Sequence, residues 1–264
     1  MNNGKKIKCV ILDWAGTTVD FGSMAPLRVF SDIFEQRGLR LETDELRAPM
    51  GMPKLEHIRE LLRMERPARL FREKYGRMPI DDDALGMYAA FEPALLKILH
   101  DFAAPLEGVC GAVRELRETR VKIGSTTGYT RKMMDIIAPL AKAAGYAPDC
   151  IVTPDEAAEG RPAPWMIFKN MERLGVYPPS SVVKAGDTAA DIREGKNAGV
   201  ISVGILRGSN ELGLTRSEFE SLPAKEVDER RQAARERFYL AGADYVLESI
   251  RELPAFVREM DKDD

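Results

Sequence analysis

Val10-Ile11-Leu12-Asp13-Trp14-Ala15-Gly16-Thr17-Thr18 carries an aspartate out of a short apolar run into a turn of small residues. Residues 7–12 are too few for a helix and are β-branched at positions 7, 10 and 11, so they read as a buried strand. Asp13 then stands at the strand's carboxyl end, where open α/β sheets collect their ligands. A carboxylate placed there can act as nucleophile, metal ligand or both. Gly16 permits the tight exit that leaves it exposed to the crevice.

Working outward, the pattern after Thr18 turns helical and stays so for about eighty residues. Leu27, Phe30, Ile33 and Phe34 share one face before Gly38, and a second helix is expected over residues 43–48 with Thr43 as its N-cap. Pro49-Met50-Gly51-Met52-Pro53 interrupts, after which Lys54, Leu55, Ile58, Leu61 and Leu62 restart the period. Helices follow over 67–75 and 81–99, the second with acidic residues in its first turn, where the helix dipole favours them. A helical block set directly after the first strand of an α/β domain does not belong to the sheet. Residues 22–100 are therefore expected to form an all-helical cap, and 1–21 with 101–264 an α/β core.

Strands return at 121–126, 150–153, 181–185 and 200–206, alternating with helices over 109–120, 131–144 and 164–174, and a last strand is expected at 244–247. The alternation predicts a Rossmann-like parallel sheet with right-handed crossovers. The helix over 224–238 is strongly charged and reads as a solvated face.

Composition adds exclusions. The 264 residues are 44% hydrophobic and 31% charged with a net charge of −3, ordinary for a globular chain that needs no covalent staple. No basic tract with interleaved aromatics suggests a nucleic acid, and no stretch reaches membrane-spanning length. Cys9, Cys110 and Cys150 are odd in number and widely spaced in apolar stretches, which reads as buried free thiols in a reducing compartment. Residues 1–6 are polar and basic with no long apolar region behind them, so a cytoplasmic location is expected.

Four turns fall at strand ends: Asp13 after the first, Thr127-Gly128 after the second, Arg161 soon after the third and Asp187 after the fourth. Singly, each has an ordinary explanation as a helix cap, a turn or a surface residue. In order and together they resemble the motifs of the haloacid dehalogenase superfamily, whose members mostly transfer phosphoryl groups through an aspartyl phosphate. The resemblance implies Asp13 as nucleophile, Thr127 and the Gly128 amide on the phosphoryl oxygens, and Arg161 where a Lys is usual. It also implies Mg²⁺ held by Asp13, the Ala15 backbone carbonyl and Asp187, with Asp191 binding through water or orienting its neighbours. Hard oxygen ligands suit that ion, and two histidines with no Cys-x-x-Cys pair weaken a zinc reading.

One departure carries information. Phosphatases of the superfamily place a second Asp two residues after the nucleophile to protonate the leaving alcohol, and here that residue is Ala15, which donates nothing. The segment Arg47-Ala48-Pro49-Met50-Gly51-Met52-Pro53-Lys54-Leu55-Glu56-His57 resembles the lysine-bearing segment of the phosphonoacetaldehyde hydrolases, or phosphonatases. The likeness extends to residues 13–20, 124–131, 160–165 and 208–215, essentially the whole chain. That family pairs the aspartate with a Schiff-base lysine, which falls on Lys54. Breaking a carbon–phosphorus bond would leave a carbanion; an iminium between the substrate aldehyde and a neutral amine accepts those electrons, and no acid is then needed. Met50, Met52, Pro53 and Leu55 offer Lys54 a partly desolvated setting that lowers its pKa. His57, one helical turn on, is either a proton relay or a packing residue, Met50 and Met52 read as packing contacts, and Ser23 and His100 are assigned no chemistry.

The resemblance thus implies a Mg²⁺-dependent hydrolase that cleaves phosphonoacetaldehyde to acetaldehyde and phosphate in 2-aminoethylphosphonate degradation, with a small-molecule phosphonate as substrate. It implies a homodimer formed through the cap, for which residues 24–34 are the expected surface. A phosphatase or phosphomutase on the same scaffold, and a non-enzymatic sensor of phosphorylated metabolites, are the competing readings.

Overall fold

The computed structural model describes residues 7–262; the polar, basic residues 1–6 lie outside them. In chain order the elements are β1 (Cys9–Leu12), α1 (Met24–Gln36), α2 (Thr43–Arg47), α3 (Lys54–Arg63), α4 (Glu65–Tyr75), α5 (Asp81–Ile98), α6 (Val109–Glu118), β2 (Lys122–Thr126) and α7 (Arg131–Ala143). They continue with β3 (Cys150–Val152), α8 (Trp165–Leu174), β4 (Val182–Gly186), α9 (Ala189–Ala198), β5 (Ile201–Ile205), α10 (Arg216–Ser221), α11 (Ala224–Leu240), β6 (Tyr245–Leu247) and α12 (Leu253–Met260).

The strands form one parallel sheet in the order β3-β2-β1-β4-β5-β6. Strand order reverses at β1, so the crevice beyond its carboxyl end is the topological switch point of the sheet. Leu12 is level with Ser125 of β2 and Ala185 of β4, which brings Asp13, Thr127 and Asp187 out along one edge. All four β1 residues are buried because both faces are covered. Val10 and Leu12 join the large core under the helices of the insertion and α6, α7 and α12, whereas Cys9 and Ile11 pack with Ile167 and Met171 of α8 on the other face.

Between β1 and β2 stand the helices α1 to α5, none of which adds to the sheet. Phe30 of α1 is stacked between Phe91 of α5, with centroids 4.3 Å apart, and His57 of α3, at 3.9 Å. The apolar cluster around Phe30 is continuous with the one on the sheet. Leu27, Phe30, Ile33 and Phe34 are all buried inside the chain, which corrects the expectation that residues 24–34 offer an apolar surface to a second subunit. Their periodic face is consumed by α3 and α5.

Smaller corrections concern caps and thiols. Glu42, not Thr43, caps α2: its backbone N–H donates to the Glu45 carboxylate at 2.8 Å in a capping box. All three cysteines are unpaired, but only Cys9 is buried, Cys110 and Cys150 being half-buried. On α11 only Val227, Ala234 and Phe238 are buried and the charged residues face outward. Among the described residues no helix is long and apolar enough to cross a membrane.

Because one core serves sheet and helical insertion, Phe91→Ala should lower the free energy of global unfolding by about 3–5 kcal/mol. Urea denaturation followed by circular dichroism measures it. A loss below about 1 kcal/mol would mean that the ring contributes little to a shared core.

Candidate active site

The turn after β1 is built by its own backbone. The Trp14 carbonyl accepts from the N–H groups of Thr17, Thr18 and Val19, and Thr18 Oγ1 donates to the Asp13 carbonyl at 2.9 Å. Gly16 sits at φ 87°, and a Cβ there would lie 2.0 Å from Asp187 Oδ2, so no other residue fits beside that carboxylate. Asp20 then accepts from the N–H groups of Met24 and Ala25 at 2.9 and 3.0 Å, satisfying the start of α1. Burial pushes Asp20 up to about 7 against those two bonds.

Charge is concentrated behind the turn. Arg161, almost wholly buried, reaches Asp13 at 2.7 Å, Asp191 at 2.9 Å and Glu194 at 2.9 Å, and donates to Thr126 Oγ1 at 2.8 Å. Lys184, in the middle of β4, adds a second buried cation 2.7 Å from Asp191. Asp191 is spent on these neighbours: Oδ1 meets Lys184 and Arg161, while Oδ2 accepts from the Thr188 hydroxyl at 2.5 Å and its N–H at 3.2 Å. Asp187 accepts from the Asn210 N–H at 2.8 Å and from Thr17 Oγ1 at 3.3 Å.

The cluster is short of positive charge. Among the described residues Asp13, Asp191 and Glu194 form ion pairs only with Arg161 and Lys184, and Asp187 forms none, all four carboxylates having almost no solvent contact. Burial, then repulsion from Asp191, pushes the Asp13 carboxyl up, and burial with repulsion from Asp13 pushes Asp187 well up. One ligand atom from each of Asp13, Asp187 and Asp191 lies within 4.8 Å of the others. A donor set of hard oxygens with that deficit fits a divalent cation.

Lys54 opens α3 and points into the same place. It is 5% exposed, with Nζ 5.0 Å from the centroid of Tyr129 and 5.9 Å from that of Phe30, and no ion pair engages it among the described residues. Burial pulls its amine down to about 8; Arg161 pushes the same way, and Asp13, Asp20 and Asp187 oppose. Asp13, Ala15, Lys54, Thr127, Arg161 and Asp187 line one pocket of about 20 Å³, closed down to little more than a water molecule. The core presses on the insertion here: a Cβ on Gly128 would lie 2.8 Å from the Met52 carbonyl. Thr127 Oγ1 accepts from the Tyr129 N–H at 3.0 Å.

His57 is placed differently. Its Nε2 donates to the Leu46 carbonyl at 2.9 Å, which fixes the tautomer and leaves Nδ1 a buried acceptor without a partner. Burial and the nearby Lys54 hold it well below the usual imidazole range, hence neutral. It stacks on Phe30 and is not among the residues that line the pocket. His100 is exposed beside Asp101.

The haloacid dehalogenase-like hydrolase family matches residues 7–199. Phosphonoacetaldehyde hydrolase of Bacillus cytotoxicus is 48% identical over 257 residues, 97% of each chain. This chain belongs to the phosphonoacetaldehyde hydrolase family. A bifunctional phosphonoacetaldehyde hydrolase/aminoethylphosphonate transaminase of Clostridioides difficile is 48% identical over 250 residues, 95% of this chain but 39% of that protein. A solved phosphonoacetaldehyde hydrolase-like protein of Oleispira antarctica superposes with a TM-score of 0.93 at 34% identity, covering 97% of this chain and 93% of that one. A β-phosphoglucomutase of Clostridium difficile, at 16% identity and a TM-score of 0.68, shares the fold.

Several site residues escape a reading of motifs. Glu194 holds Arg161 from behind and Lys184 pairs with Asp191 and Glu194, Tyr129, Met50 and Ser23 line the pocket, and Arg47 and Asn210 lie just outside it. Lys184 carries a signal, a lone charge inside Val182-Val183-Lys184-Ala185-Gly186, and Glu194 follows Asp191 at helical spacing. Lys184→Met removes one partner from a buried ion network and should cost about 3–5 kcal/mol of stability in urea denaturation. A change of under about 1 kcal/mol would show that the network does not depend on it.

Proposed function

We propose that this chain hydrolyses phosphonoacetaldehyde to acetaldehyde and phosphate, with Lys54 and Asp13 dividing the chemistry. The observation that carries this reading is a buried lysine amine, lowered to about 8, lining the same narrow pocket as Asp13, where Ala15 offers no acid. An ester leaving group needs a proton donor; an enamine does not.

The Lys54 amine adds to the substrate aldehyde and loses water to form an iminium. Asp13 attacks phosphorus, the carbon–phosphorus electrons pass into the iminium as an enamine, and protonation at carbon followed by hydrolysis releases acetaldehyde. Water then cleaves the aspartyl phosphate. Thr127, the Gly128 amide and Arg161 hold the phosphonyl oxygens; Asp191, already bonded to Lys184 and Arg161, keeps Arg161 aimed at Asp13. Asp13, Asp187 and the Ala15 carbonyl would hold Mg²⁺, which supplies the positive charge that lets an anionic carboxylate approach an anionic phosphonate. His57, one turn along α3 from Lys54 but outside the pocket lining and stacked on Phe30, is assigned to packing rather than to proton relay.

Residues 22–100 act as the cap in this reading, and 1–21 with 101–264 as the core. The pocket has room for little more than a water molecule, so in this reading the cap parts from the core to admit substrate and closes again to exclude water. A cytoplasmic location fits the three unpaired cysteines. A homodimer completes the proposal, and sedimentation equilibrium tests it.

Lys54→Arg keeps the charge but cannot form the iminium, so kcat for acetaldehyde release should fall on the order of 10³-fold or more with the fold intact; activity within about tenfold of the parent would remove Lys54 from the mechanism. Since the free amine reacts and its pKa is depressed, kcat/KM should rise with pH and level off above about 8. A plateau already reached at pH 6 would contradict this.

A further inference from the structure

The reaction above leaves one buried cation without a task. Arg47, the last residue of α2, is 7% exposed and makes no ion pair among the described residues. Its Nη1 donates to the Gly22 carbonyl at 2.8 Å and to Asn210 Oδ1 at 3.0 Å, while Nε has no partner. Asn210, 4% exposed in the turn after β5, returns a bond from Nδ2 to the Arg47 carbonyl at 3.2 Å. Its backbone N–H donates to Asp187 Oδ2 at 2.8 Å.

These contacts run unbroken from the helical insertion to a carboxylate of the acidic cluster. Gly22 stands where the chain leaves the core for α1, and its N–H donates to the Gly208 carbonyl at 2.7 Å. Arg47 therefore joins three segments: the end of α2, the start of the insertion and the 208–210 turn. A half-satisfied buried guanidinium is costly to keep. Burial pulls the guanidinium below its ordinary value, and the charges of Asp187 and Asp20 oppose that shift. Arg47 and Asn210 do not line the Lys54 pocket but a groove of about 640 Å³ beside it, between the insertion and α11. They touch no reacting atom.

We propose that Arg47 and Asn210 form a latch that couples closure of the helical insertion to the orientation of Asp187. With the insertion seated, the two-way bond fixes the turn and its N–H holds one oxygen of Asp187; with the insertion away, Asn210 loses both side-chain bonds and its hold on Asp187 slackens. Both are positioning residues. The latch makes divalent-cation affinity depend on a contact that lies outside the metal's own ligands, and it rests on the metal reading given above.

Titrating Mn²⁺ alone into the full-length, metal-free chain, with free ion followed by electron paramagnetic resonance, reads this without turnover. The parent chain should bind, and Asn210→Ala and Arg47→Met should each bind about 5–30-fold more weakly. The double variant should be no weaker than the worse single one, because both changes remove the same contact. Asn210→Ala leaves the N–H to Asp187 and the Arg47–Gly22 bond in place, so it decides the matter if Arg47→Met does not fold. A lowered melting temperature with unchanged Mn²⁺ affinity, or additive losses in the double variant, would overturn the latch. No Mn²⁺ binding by the parent chain would remove the metal reading and the latch with it.

Discussion

Four carboxylates and two cations are packed almost without solvent at the carboxyl edge of a parallel sheet, and the rest of the molecule is arranged to tolerate that charge. Arg161 is the centre of it, joined to Asp13, Asp191 and Glu194 at once. Such a cluster survives only if each ionised group keeps its partners, since a single unpaired buried charge costs several kcal/mol. The turn at Gly16, the capping of α9 by Thr188 and Asp191, and the lysine inside β4 are consequences of that constraint.

The same low-dielectric setting governs the lysine. Lys54 lies against two aromatic rings with no carboxylate in contact, so burial outweighs the surrounding negative charge and the amine is held near 8. Asp13 experiences the opposite pressure, pushed up by burial and by Asp191 and held back by Arg161. A nucleophilic amine and a nucleophilic carboxylate are thus poised in one pocket by different neighbours. Ala15 belongs to this logic, because a second acid beside Asp13 would add a fifth carboxyl to a cluster already short of positive charge.

Much of this was legible from local pattern. The apolar run ending in Asp13, the β/α alternation and the turns at Thr127 and Asp187 follow from strand and turn chemistry, and parallel pairing then brings those turns together. Lys54 was legible only in company with Ala15. What was hidden depends on contacts far apart in sequence: nothing near Arg47 announces Asn210, 163 positions away, and the stacking of His57 on Phe30 requires α1 and α3 to be packed first. The apolar face of α1 looked free for a partner because sequence does not say which helix covers it. The starts of α9 and α10 carry local signals in Thr188-x-x-Asp191 and Thr215-x-x-Glu218, and both form capping boxes.

The division of labour between an amine from the helices and a carboxylate from the sheet is open to a direct chemical test. Sodium borohydride added together with phosphonoacetaldehyde should reduce the iminium, and peptide mapping should find an ethyl or phosphonoethyl group on the peptide that carries Lys54. Reduction that marks a different lysine, or none in a chain that is turning over substrate, would contradict it.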